Sequence, residues 1–254
     1  MRSKGFTWIL TLAVLLAAGF IARLVAGDET AEEWAGGRCK GEGGFRTLLA
    51  DFLWMHAHVS WERRQPEATV RALRLTVAAD PRPLAFWLNG ARMIAYDMPR
   101  WRLGGLDAPG QRLPDLHKRL EQQQGRRALE WLDDAARVHP DAPAVFIERA
   151  NILLNCEHDL EGAAANYRRA ALLPRAPFYA ARLHAELLRR LGRREEALAW
   201  LAHLHPRLPR GDAAAAAGLV EARIRELETE LGVPPERRYR VPEDRRRPGE
   251  GIGL

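Results

Sequence analysis

The side chains able to do chemistry are few, and their spacing works against it. His56 and His58 lie two residues apart, as do His203 and His205. On a helix such pairs point roughly 200° away from each other, so neither can close on one metal ion. Trp54, His58 and Trp61 instead fall at i, i+4 and i+7, the spacing of an aromatic stripe packed into a core. Cys39 and Cys156 are the only thiols, without a C-x-x-C or a C-x-x-C-H. A bridge between them needs an oxidising compartment and proximity, and two unpaired thiols are the simpler expectation. Asp133-Asp134 and Glu195-Glu196 are adjacent carboxylates on arginine-bearing helix faces, the ordinary make-up of a solvated surface. The sequence has no glycine-rich phosphate loop, no G-x-S-x-G elbow and no H-E-x-x-H. The chain is therefore expected to be no enzyme, with no cofactor and no metal. What remains is recognition. Trp87, Glu148, Ile152, Asn155, Tyr179, Arg182, Glu186 and Arg189 include the residue types enriched at interface hot spots. Arg182 and Arg189 have the forked donors that suit a peptide carboxylate.

The elements that must position these residues are read from a repeat. His158-Asp159-Leu160-Glu161-Gly162-Ala163 falls on Gly192-Arg193-Arg194-Glu195-Glu196-Ala197 at a shift of 34 residues. Ala163 and Ala170 lie two helical turns apart with Tyr167 between them, and Ala128, Leu132 and Ala135 repeat the pattern earlier. Small residues at such spacing let helix axes approach to about 8 Å. Pro140, Pro174 and Pro209 fall where the second helix of each pair must stop. Ala68, Ala72 and Thr76, ending at Asp80-Pro81, give a first copy. The wide interval to Leu132 implies an insertion near 98–111, Gly- and Pro-rich and without helical periodicity. The expected fold class is all-α: a right-handed α-solenoid of about four helical hairpins over 45–210. In such an array the first helices line a concave groove, and the repeat register puts the eight residues above on that face.

Val220, Ile224, Leu227 and Leu231 form one apolar stripe after Asp212, so 211–231 is expected to be a capping helix. Beyond Gly232 the chain is rich in Arg, Glu, Pro and Gly, and 232–254 is expected to be a disordered basic tail. At the other end, Arg2 and Lys4 precede the uncharged run 6–21, followed by Arg23. Residues 1–27 are read as an N-terminal transmembrane anchor, with a cleaved signal peptide as the alternative. Either way the positive-inside rule leaves the solenoid outside the cytoplasm, lifted on a Gly- and acid-rich linker at 28–44. The net charge of +6 invites an anionic partner. Arginines and glutamates alternate along the helices, however, so nucleic acid is not expected.

The hairpins resemble the tetratricopeptide repeat family over roughly 45–210, most specifically in Ala163–Pro174 and Gly192–Pro209. They depart from it at Ala150-Asn151 and His184-Ala185, where that family has Leu-Gly. Gly43-Gly44-Phe45-Arg46 through Asp51-Phe52-Leu53-Trp54, with Phe86-Trp87-Leu88-Asn89-Gly90 and Tyr96, is similar to a group of bacterial membrane-anchored tetratricopeptide proteins. The resemblance implies an envelope scaffold and nothing finer. With the repeat, the apolar N-terminal run and the lack of catalytic constellations, the expectation is a single-pass inner-membrane protein whose periplasmic solenoid binds a protein or peptide partner in envelope assembly, secretion, export or pilus biogenesis. The alternatives are a chaperone-like subunit for cytochrome c type cofactor assembly, and an envelope protein binding anionic glycan or lipid. The oligomeric state stays open.

Overall fold

The computed structural model describes residues 42–103, 114–209 and 211–241, and among them the chain is helical with no strand. It divides into two units, Met1–Arg46 and Thr47–Leu254, and the helix packing is that of the second.

Helix α1 (Glu42–Glu62) is followed by α2 (Pro66–Ala79) and α3 (Leu84–Arg92). A π-helical turn, Met93–Asp97, carries α3 into the short α4 (Met98–Leu103). The long α5 (Pro114–Val138) precedes α6 (Pro143–Ile152), which ends in a second π turn, Leu153–Glu157. Then come α7 (Leu160–Leu172), α8 (Phe178–Arg190), α9 (Arg194–Leu204) and α10 (Ala217–Glu230). Proline at the first turns of α2 and α6 suits a position where the backbone N–H has no helical partner.

Each helix packs on its chain neighbours, and the alanines at the crossings explain how closely. Ala128, Ala135, Ala163, Ala170 and Ala197 are fully buried. The core runs in successive patches. Ala50, Leu53, Ala79 and Phe86 bind α1 to α2 and α3. Trp87, Ala91, Trp131 and Leu132 bind α3 to α5. Phe146, Ala163, Tyr167 and Ala180 join α6, α7 and α8, and Leu188, Leu201, Ile224 and Leu227 close the array on α10.

The turns repeat as well. His158 and Gly192, equivalent at the 34-residue shift, both take the left-handed conformation, with φ of 56° and 79°. Arg193 N–H donates to Leu188 O at 2.9 Å and Gln65 N–H to Ser60 O at 3.0 Å, the six-to-one bond that closes a helix after a left-handed residue. After the second π turn the bond spans one residue more, from Asp159 N–H to Leu153 O. The Asp159 carboxylate then accepts from Gly162 N–H and starts α7.

Several expectations are corrected. Among the described residues no helix is long and apolar enough to cross a membrane. Two are long enough, but α1 carries Arg46 and Asp51, and α5 carries charge along most of its length. The segment 1–27 read as an anchor lies outside the described residues. Of the expected fold class the described residues show an all-helical domain, and the membrane helix placed before it is not found among them. The inner-membrane, periplasmic localisation and the membrane as partner lose their support with it. So do the three functions placed at the envelope: the anchored scaffold, the cofactor-assembly subunit and the glycan or lipid binder.

Smaller differences follow the same physics. The expected insertion begins as helix α4, with Trp101 edge-on to Trp61 at 6.2 Å, and 104–111 lie outside the described residues. Part of the tail expected to be disordered packs back on the domain at 233–241, and 242–254 lie outside the described residues. There Tyr239 N–H donates to the buried Glu228 carboxylate, and Arg225 donates to Tyr239 O at 2.7 Å.

Candidate functional site

Where α3, α6 and α8 follow one another, their side chains meet around a buried carboxylate. Glu148 of α6 is 3% exposed. Arg92 of α3 reaches it with two hydrogen bonds, Nε at 3.1 Å and Nη2 at 2.9 Å. One turn after Arg92, Tyr96 lies near the Asn155 side chain, and burial, outweighing the lowering effect of that amide, pushes its phenol up to about 12. Tyr167 of α7 donates its hydroxyl to Asn151 at 2.5 Å, and burial raises its pKa also. Tyr179 of α8 is 43% exposed and close enough to act electrostatically on Arg92 and Tyr167. Tyr96 and Tyr167 therefore stay protonated in the neutral range, as hydrogen-bonding groups rather than bases.

Further along α8 the charges are matched. Arg189 binds Glu186 at 2.7 Å, which lowers the Glu186 pKa, and Arg223 of α10 approaches the same carboxylate at 3.6 Å. Arg182 donates to two backbone carbonyls, Ala214 O at 3.1 Å and Ala215 O at 3.0 Å. It holds the turn that leads into α10. A separate groove of about 750 Å³ runs between α7 and α9, rimmed by Arg168 and Arg193. His184 forms part of its floor, buried against Trp200 at 4.6 Å and bonded through Nδ1 to Ala164 O. Burial lowers the His184 pKa, so its imidazole is neutral.

The comparison with family models found no match, and none of the curated proteins matches the chain either.

Of the eight residues expected on one face, the structure brings Glu148, Asn155 and Tyr179 together and continues through Arg182, Glu186 and Arg189. Two belong elsewhere. Trp87 is 5% exposed, its ring 5.1 Å from Trp131 and its indole N–H donating to Pro81 O. Five residues from Arg92 on the same helix, it lies roughly 140° round the axis and faces α5. Ile152 is fully buried in the same core patch, and Asn151 takes the outward position expected of it. Arg182 and Arg189, expected to hold a peptide carboxylate, each make hydrogen bonds within the chain.

Sequence reasoning misses Arg92, Tyr96 and Tyr167 as site residues. The signal for the first two is available: a helical wheel over 84–97 puts Arg92 and Tyr96 on one stripe. Cys156 is a free, buried thiol with its pKa pushed up to about 11, while Cys39 lies outside the described residues. His58 stands between Trp54 and Trp61, 4.8 and 6.1 Å away. Among the described residues no three metal-ligating side chains gather.

Proposed function

We propose that this chain is a tetratricopeptide-like recognition module that acts by non-covalent binding rather than catalysis, through the face around Glu148. Its ligand is an extended, uncharged, amide-bearing chain. The observation that carries this reading is the allocation of charge on that face. Arg92, Arg182 and Arg189 are each tied to a partner inside the molecule, while Asn155 and Tyr179 are exposed. A side-chain amide donates and accepts at once, which complements a peptide group. An exposed phenol adds a broad apolar ring with one polar tip. Leu183, 38% exposed and one turn on from Tyr179, extends the ring's apolar surface.

The test is an array of extended 12-residue peptides that are neutral, acidic or basic. Binding of the full chain is read by fluorescence anisotropy at two salt concentrations. Neutral peptides should bind best, with affinity insensitive to salt because no ion pair forms. Asn155→Ala and Tyr179→Ala should each weaken binding about tenfold, the loss expected for one hydrogen bond or one aromatic contact of about 1.4 kcal/mol. Preference for charged peptides, or indifference to both substitutions, would remove the proposal.

A further inference from the structure

Helix α1 has two apolar faces, and among the described residues only one of them is packed. Ala50, Leu53 and Ala57 face α2 and α3 and are at most 9% exposed. On the other side Leu48, Phe52, Met55 and Val59 are 70%, 66%, 67% and 41% exposed. Their spacing is four, three and four residues, which places them within a wedge roughly 60° wide along about 16 Å of helix. Apolar residues scattered singly on a surface are ordinary, whereas a continuous line of them marks an interaction surface.

The spacing says what that surface fits. A line repeating every three and four residues is the seam by which two like helices interlock side chain to side chain. Four side chains of this size and exposure offer roughly 500 Å² per molecule, so a pair would bury about 1,000 Å², the lower end of what a specific interface needs. The flanks also match. Exposed Asp51 borders the seam on one side and exposed His56 on the other, five residues later. In a parallel pair that offset sets Asp51 of one helix across from His56 of the other, twice by symmetry. The face is thus complementary to itself in shape and in hydrogen bonding.

We infer that α1 pairs in parallel with α1 of a second copy of this chain through Leu48, Phe52, Met55 and Val59, forming a reversible two-fold dimer. The inference is independent of the face around Glu148. Burying the seam leaves Asn155, which follows α6, and Tyr179 on α8 untouched, and the dimer would present two copies of that face.

Sedimentation equilibrium of the full chain across micromolar concentrations tests it. The wild type should show a mass rising from one to two chains. Leu48→Glu with Met55→Glu should hold the mass at one chain while circular dichroism and the urea midpoint stay unchanged, since both side chains are solvent-exposed. His56→Glu, which sets like charges opposite, should weaken the dimer about tenfold, and adding Asp51→Lys should restore it. A wild type that stays at one chain, a doubly charged variant that still dimerises, or no rescue by Asp51→Lys would each overturn the inference. So would a double variant whose only change is lost binding to vesicles of mixed phosphatidylcholine and phosphatidylglycerol.

Discussion

Arg92 on α3 and Glu148 on α6 are joined by two hydrogen bonds across 56 residues of chain. The Glu148 side chain is 4% exposed and the Arg92 side chain 53%, so a cation on a half-exposed side chain neutralises a buried anion. The pair ties the helix that leads one hairpin to the helix that leads the next.

Removing only the cation should therefore cost more than removing both charges. Arg92→Ala strands a buried carboxylate and is expected to destabilise by about 2–3 kcal/mol. Arg92→Met with Glu148→Met replaces the pair by apolar side chains of similar volume and should lie within about 1 kcal/mol of wild type. Urea midpoints at constant slope measure both. A double variant as unstable as the single would show that the pair itself, and not the uncompensated charge, holds the helices together.

Two glycines separate close packing from helix propensity. A Cβ on Gly90 would come within 2.9 Å of the Trp131 ring. That ring has nowhere to go: its N–H donates to Trp87 O at 2.8 Å and it packs on the Trp87 ring. Gly90→Ala is expected to cost about 1–3 kcal/mol, the range for an overpacked core. Gly218, in the first turn of α10, has open space where a Cβ would stand, with nothing within 4 Å of it. Gly218→Ala should add about 0.5 kcal/mol by lowering the entropy of the unfolded chain. Thermal and urea unfolding of the two variants should therefore shift in opposite directions.

What the sequence shows clearly is whatever repeats locally. The 34-residue shift matches His158 with Gly192, and both occupy the same left-handed corner. The alanines at helical spacing are buried because only small side chains allow the crossings. The facing of the first helices is harder to read, because each π turn inserts one residue and rotates the next stretch of helix by roughly 100°. That rotation is invisible to a periodic pattern. Ile152 precedes such a turn and is misplaced for a simpler reason: Asn151, three residues after Glu148, takes the outward position, and Ile152 falls into the core. Ion pairing is harder still. Nothing near Arg182 in sequence indicates that its partners are carbonyls 32 and 33 residues away, or that Arg92 belongs with Glu148.

The acid response of the fold should trace to Asp80, which follows α2. Its carboxylate accepts from Thr47 Oγ1 at 3.0 Å and from Arg82 Nε and Nη2 at 2.8 Å each, and its side chain is 3% exposed. The Arg82 hydrogen bond, against the opposing effect of burial, lowers its pKa from 3.8 to about 2. Folding thus favours the ionised form, so the unfolded chain binds the proton more readily. The stabilisation is complete above about pH 4, declines as pH falls, and is gone once pH drops through about 2. Asp80→Asn keeps the shape but cannot ionise, so its stability should lack this component of the pH dependence. Urea unfolding of both proteins at about pH 5, 4, 3 and 2.5 gives the comparison. The gap between them should narrow steadily towards the acid end. A gap that stayed constant over that range would mean that the Asp80 carboxylate titrates alike in the folded and unfolded chain, and that Thr47 and Arg82 do not hold it ionised.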